Sequence, residues 1–196
     1  MESQPEDDLR AMARLRDGED LALGDLMRRW KEPLVSYCWR IVGHAGDARD
    51  LAQETFVKIY QARHRYRPDS AFSTWMFAIA TNLCRQHLRW RRRHPEQSLD
   101  SLNEAPIPAV ASADPAESAD LSSLAIDLDR AISALPADLR IAFVLTEWQG
   151  MSHRDAGNIL RCSAKAIERR SARARETLRA VLSKHWGGHA GQADAL

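Results

Sequence analysis

DARDLAQETFVKIYQARHRYRPDSAFSTWMFAIATN, residues Asp47 to Asn82, contains two apolar stripes of helical period with a short polar stretch between them. Leu51, Ala52, Thr55, Phe56, Ile59 and Tyr60 fall at i, i+1, i+4 and i+5 spacing. Phe72, Trp75, Met76, Ile79, Ala80 and Leu83 repeat the pattern, and Leu88 continues it. Each stripe predicts the core face of a helix, so Trp75 is expected inside. No alternating Val/Ile/Thr run bounded by turn residues occurs elsewhere, and the expected fold class is all-α.

Towards the N-terminus, MESQPEDDLR is acidic and polar, the opposite of a basic-then-apolar leader. No apolar run reaches the roughly 18 residues of a membrane span, so the expectation is a cytoplasmic chain with no membrane insertion. Towards the C-terminus the composition breaks after Arg93. Pro95, Pro106, Pro108 and Pro115 lie among Ser, Ala, Asp and Glu, and prolines disfavour helix at and before themselves. Residues 95–120 are therefore expected to be a flexible acidic linker. Apolar period resumes at Leu121, Leu124, Leu128, Ile132 and Leu135, and Pro136 ends it. Three more helices are expected, at about 137–149, 152–160 and 163–186. The chain thus divides into two small helical domains, residues 1–94 and 121–186, with a disordered tail over 187–196. Cys38, Cys84 and Cys162 form neither a disulfide framework nor a paired metal motif and are expected to be reduced structural thiols.

The net charge of +1 conceals a strong segregation. Glu96 to Asp129 holds eight acids and no Lys or Arg; Arg85 to Arg93 holds five arginines and no acid; Arg161 to Lys184 holds eight basic residues against two acids. Two basic patches flanking an acidic strip point to a nucleic-acid partner. The second patch has a recognisable layout. Ser152 can cap a short helix with Asp155 three residues on, Arg161-Cys162-Ser163 supplies a turn, and Ser163 can cap a long basic helix. That is a helix-turn-helix, whose second helix enters the major groove by its N-terminal part. Arginines there bridge guanine edges or hold phosphates; the competing explanation is an ordinary solvated face. Ile167 and Leu178 are expected in the core. Glu168 breaks the basic run and would repel phosphate, unless it accepts from cytosine N4 or pairs with Arg169. The seven histidines are scattered, and His185 and His189 have no companion Cys. With no nucleophile elbow or phosphate loop, neither an enzyme nor a cofactor or metal site is expected.

The family resemblance lies in Asp47, Asp50, Gln53-Glu54-Thr55-Phe56 and Phe72-Ser73-Thr74-Trp75-Met76-Phe77-Ala78-Ile79-Ala80-Thr81-Asn82, followed by LPADLRIAFVLTEWQGMSHRDAGNIL in the second domain. In that order and at that separation they resemble the extracytoplasmic-function sigma factors of bacterial RNA polymerase. The resemblance implies that Asp47, Asp50, Gln53, Glu54, Val57 and Lys58 dock on a coiled coil of the polymerase's largest subunit. The second domain would meet the flap of the second-largest subunit. Arg65, Tyr66, Asp69, Ser70, Ala71 and Asn82 would take a flipped base of the −10 element, with Arg85, Arg89 and Arg91 to Arg93 along phosphates; Trp90 is open to a nucleic-acid contact. Arg161, Ser163, Lys165, Glu168, Arg169, Arg170 and Arg173 would meet promoter DNA at the −35 element. The linker would run near the path of nascent RNA, and an anti-sigma factor is an implied partner. The match weakens where the family's Glu-Ile-Ala becomes Asp155-Ala156-Gly157, and where Ser171 and Ala172 replace a frequent Leu or Phe. A free-standing dimeric helix-turn-helix regulator is the alternative, although it would have no use for a melting loop.

Overall fold

Pro5 opens the first helix, α1 (Pro5–Arg16), where its missing N–H would go unpaired in any case. Glu6, Asp7 and Asp8 follow at the positive end of that helix, and Arg14 and Arg16 close the negative end. Helix α2 (Leu21–Val42) stops at Gly43, whose φ of 75° is the left-handed geometry of a helix end and whose N–H donates to Trp39 O at 2.7 Å. Helix α3 (Ala45–Gln61) is capped by His44, whose Nδ1 accepts from the Asp47 N–H at 3.1 Å. One 3₁₀ turn, Arg63–Arg65, and a short loop lead into α4 (Phe72–Arg93). These coordinates are a computed structural model describing residues 5–94 and 127–190. The linker expected at 95–120 lies outside the described residues.

The chain divides into two units. In the N-terminal unit both apolar stripes turn inward. Met12, Leu15, Leu26, Leu34, Ile41, Ile59 and Met76 are fully buried around Tyr37 and Phe77, whose rings meet edge-on at 4.9 Å. The Tyr37 hydroxyl lies 2.6 Å from Thr81 Oγ1, which itself donates to Phe77 O. The buried phenol is thus a satisfied donor, and its burial pushes its pKa well up. Cys38 and Cys84 are both buried, and their thiols interact. A hydrogen bond with Cys38, and then burial, push the Cys84 thiol well above its ordinary range. Trp75 departs from expectation and is only half-buried. Tyr66 comes in from the loop, 4% exposed, and packs on Trp75 at 5.2 Å and Phe72 at 6.3 Å. Its hydroxyl donates to Ser70 O at 3.0 Å, which closes the loop on itself.

In the C-terminal unit, residues 127–134 form α5, followed by α6 (Ala137–Phe143), α7 (His153–Leu160) and α8 (Ala164–Ala190). The single helix expected at 137–149 instead widens into a π turn over Val144–Trp148. There the Thr146 hydroxyl takes up Ala142 O at 3.1 Å and meets the Ser171 hydroxyl of α8 at 2.9 Å, the kind of side-chain intrusion that loosens a ladder. Ile132, Ile141, Ala142, Val144, Leu145, Ala156, Ile167 and Ala174 are fully buried, and Leu178 nearly so. Helix α8 runs to Ala190, past the expected end at 186. An established helix adds one hydrogen bond for each residue it fixes, so Gly187 and Gly188, at about 1 kcal/mol each, do not stop it. Among the described residues no helix is long and apolar enough to cross a membrane.

Candidate polymerase and nucleic-acid interfaces

The inward stripe of α3 leaves Asp50, Gln53, Glu54, Val57 and Lys58 exposed together on the outer face. Asp50, Glu54 and Lys58 lie four apart, yet no ion pair joins them among the described residues. Val57 adds an apolar patch, 46% exposed. Asp47 behaves differently. Its Oδ2 lies 2.9 Å from His87 Nε2 and 3.7 Å from an Arg91 guanidinium nitrogen, and 3.3 Å from His44 Nδ1. Asp47 therefore anchors the start of α3 to the end of α4 and is set apart from the outer row.

Between α3 and α4 lies a polar cleft of about 560 Å³, lined by Glu54, Lys58, Gln61, Arg65, Asn82 and Gln86 together with Ile79 and Leu83. It brings Arg65 and Asn82, two expected −10 residues, beside Glu54 and Lys58, which the resemblance assigns to polymerase. Asp69, Ser70 and Ala71 are exposed on the loop but do not line the cleft, and Tyr66 is buried beneath them. Burial pushes the Tyr66 phenol up, with Asp8 and Asp69 adding to the effect. Gln61 and Gln86 belong to no motif, yet the spacings 54, 58, 61 and 79, 82, 83, 86 place each set on one helix face. Further along α4, Arg89, Arg92 and Arg93 are exposed, whereas Arg85 and Arg91 are half-buried and held within the unit. Trp90 is 45% exposed and stacks on His94 at 4.9 Å with the rings 24° apart.

In the C-terminal unit both expected caps form. Ser152 Oγ accepts from the Asp155 N–H at 3.0 Å, and Ser163 Oγ accepts from the Ala166 N–H at 3.2 Å. The turn between α7 and α8 is tight: the Cys162 N–H donates to Gly157 O at 2.9 Å, and a Cβ on Gly157 would fall 2.7 Å from Cys162 O. At the position where glycine departs from the family pattern, a side chain would thus force the backbone of Cys162 to shift. Arg161, Lys165, Glu168, Arg169 and Arg173 are exposed around the start of α8. Arg170 is half-buried and directs a guanidinium nitrogen to Cys162 Sγ at 3.6 Å. Glu168 pairs with Lys165 at 2.9 Å, not with Arg169, and that bond holds its carboxyl below the usual range. Arg154, within the quoted stretch but given no role by the resemblance, is exposed on the first turn of α7. The buried Ser171 finds its partner in Thr146.

The N-terminal unit matches the family model of sigma-70 region 2 over residues 26–94, and the C-terminal unit matches that of sigma-70 region 4 over residues 125–178. Together these define the class, a promoter-recognition subunit of RNA polymerase. The RNA polymerase sigma-H factor of Pseudomonas aeruginosa is 32% identical over 182 residues, covering 90% of this chain and 94% of the relative. The ECF RNA polymerase sigma-E factor of Escherichia coli K12 is 31% identical over 170 residues, 84% and 88% of the two chains. Among solved structures, CnrH in complex with the cytosolic domain of CnrY superposes with a TM-score of 0.66 at 27% identity, covering 91% of this chain and 98% of the other. The sigma factor RpoE in complex with the anti-sigma factor NepR, from Bartonella quintana, superposes with a TM-score of 0.67 at 25% identity, covering 83% and 98%. The chain belongs to the extracytoplasmic-function group of sigma-70 factors and functions in transcription initiation. With both regions present, a free-standing dimeric regulator is not favoured.

Proposed function

We propose that this sigma factor divides its work between the two units at the residues located above. The outer row of α3, Asp50, Gln53, Glu54, Val57 and Lys58, docks on the coiled coil of the polymerase's largest subunit. The cleft between α3 and α4, with Arg65 and Asn82, and the exposed loop residues Asp69, Ser70 and Ala71 receive the unstacked −10 strand. Arg89, Arg92 and Arg93 follow its phosphates. The exposed start of α8, through Lys165, Glu168, Arg169 and Arg173, reads the −35 duplex. Asp47 and Tyr66 serve by positioning α3 and the loop. The two domains are residues 1–94 and residues 121 to the end of α8, with the intervening acidic residues as a tether, and the chain acts in the cytoplasm. The flap of the second-largest subunit meets the C-terminal unit, and an anti-sigma protein covers these faces; the Bartonella relative is itself in complex with an anti-sigma factor.

The observation that carries this reading is the outer row of α3, where charged residues at pairing distance along a helix leave their charges unpaired. Run-off transcription from a genomic library of promoter fragments tests it, with purified core polymerase and with or without the protein. Transcripts that depend on the protein, and are lost when Asp50, Glu54 and Lys58 are replaced together by alanine, are the expected result. Duplex binding by a dimer without core association would favour the free-standing regulator.

A further inference from the structure

Asp8 is a buried carboxylate, 3% exposed, at the start of α1. Both its oxygens accept from the Trp30 indole Nε1 of α2, at 3.1 and 3.2 Å, and its Oδ1 lies 3.3 Å from the Arg29 guanidinium. Glu6 and Asp7 already meet the positive end of the helix from exposed positions, so the dipole does not require a third, buried acid. Taking a charge out of water is costly, and a buried pair is often no more stabilising than well-packed apolar residues. What these bonds add is direction: an indole held by its N–H keeps one orientation.

The oriented indole heads a series of rings. Trp30 meets Phe77 edge-on at 6.1 Å and Phe72, the first residue of α4, at 6.3 Å. Phe72 meets Tyr66 at 6.3 Å and Trp75 at 6.4 Å, and Tyr66 packs on Trp75 at 5.2 Å. Tyr66 then donates to Ser70 O, the bond that closes the loop. Contiguous contacts thus run from a buried acid of α1 to the exposed residues Asp69, Ser70 and Ala71. Helix α1 also packs directly on the 3₁₀ turn before that loop. The charge of Asp8 reaches Tyr66, whose phenol it helps to raise.

We propose that Asp8 is a positioning residue for the −10 loop. By fixing the Trp30 indole it sets, through Phe72 and Tyr66, the conformation in which Asp69, Ser70 and Ala71 select an unstacked base. The inference rests on the −10 reading of that loop. It gives α1, which lies outside the family motifs of the sequence, a part in base selection. The competing role is structural: an acid that only holds α1 on α2, whose loss would weaken every function of the N-terminal unit alike.

The test uses full-length protein assembled with core polymerase, and single-stranded non-template oligonucleotides spanning the −10 element of a promoter from the run-off screen. Affinity is measured for the original strand and for strands substituted at each −10 position, and the ratio gives the discrimination. Asp8→Ala should reduce discrimination at the most selective position by roughly 2- to 30-fold. Affinity for core, and for duplex carrying only the −35 element, should stay within about 2-fold. Trp30→Phe, which keeps a ring and removes its N–H, should reproduce the loss. Asp8→Asn, which keeps an acceptor for the indole, should restore most of the discrimination. Ile41→Ala loosens the same core about three turns along α2, away from the ring series, and should leave discrimination intact. Full discrimination in Asp8→Ala and Trp30→Phe would overturn the assignment, as would an equal loss in Ile41→Ala. If Asp8→Ala does not fold, Trp30→Phe decides by the same measure. If unaltered holoenzyme binds all strands equally, the −10 reading falls and this inference with it. If it discriminates and the variants match it, only the role of Asp8 is wrong.

Discussion

The two units keep their surfaces and cores apart to different degrees. In the N-terminal unit large rings fill the interior, and the outer row of α3 can change without touching them. In the C-terminal unit the core is made of smaller side chains, and the tight turn before α8 sets the start of the helix proposed to meet DNA. Substitutions should therefore separate stability from function in the first unit and confound them in the second.

The largest effect belongs to Phe77→Ala. It empties the space between Tyr37 and Trp30, and should cost about 3–5 kcal/mol in urea unfolding, seen as loss of the N-terminal transition. Gly157→Ala places a methyl group 2.7 Å from a backbone oxygen and should cost about 1–3 kcal/mol in the C-terminal transition. Transcription that depends on the −35 element should fall with it while core association persists; unimpaired stability would show that the turn can yield. Thr146→Val leaves the buried Ser171 hydroxyl without its partner and should cost about 1–2 kcal/mol, most of it recovered in the Thr146→Val, Ser171→Ala double variant. Alanine at Asp50, Glu54 and Lys58 together should leave stability within about 0.5 kcal/mol while weakening association with core, the separation the first unit predicts.

The smallest effect concerns pH. Asp25 bonds with Arg14 of the neighbouring helix at 3.0 Å, and that bond, with Arg28, holds its carboxyl below the ordinary range. A carboxyl depressed in the folded state stabilises the fold above its unfolded pKa, and that contribution disappears as pH falls through the folded value. Asp25→Asn should therefore flatten the stability profile of the N-terminal unit at about pH 4 and below, as followed by urea unfolding across pH. An unchanged profile would show that solvent screening removes the effect of this exposed pair.

Most of the fold was legible because helical period records which face is buried. The stripe Leu51, Ala52, Thr55, Phe56, Ile59 marks its own core face, and the caps Ser152 and Ser163 mark their helix starts. What periodicity cannot show is competition between residues distant in sequence. Trp75 lies on the apolar stripe, yet Tyr66, from a loop with no period, takes the more buried place. Asp47 resembles a partner-facing acid until α4 brings His87 and Arg91 to it. Gly157 reads as a weakened helix residue because its reason is the carbonyl of Cys162, five positions on and across a turn. The replacement of a large apolar residue by Ser171 makes sense only beside Thr146 in a π turn that no local propensity announces. The exposed faces of α3 and α8 were legible as residue sets, and the cleft joining α3 to α4 was not, since it depends on how two helices meet.

The three thiols also equip the molecule with its own chemical clocks. Cys38 and Cys84 are sealed in the N-terminal core, while Cys162 lies partly open in the turn before α8. A thiol reagent in the native protein should modify Cys162 first, and the buried pair only as often as the N-terminal unit opens. Labelling rates at single sites would thus report how frequently each unit breathes, without denaturant and without a substitution. Repeating them on the assembled holoenzyme would show which of the two motions the polymerase arrests.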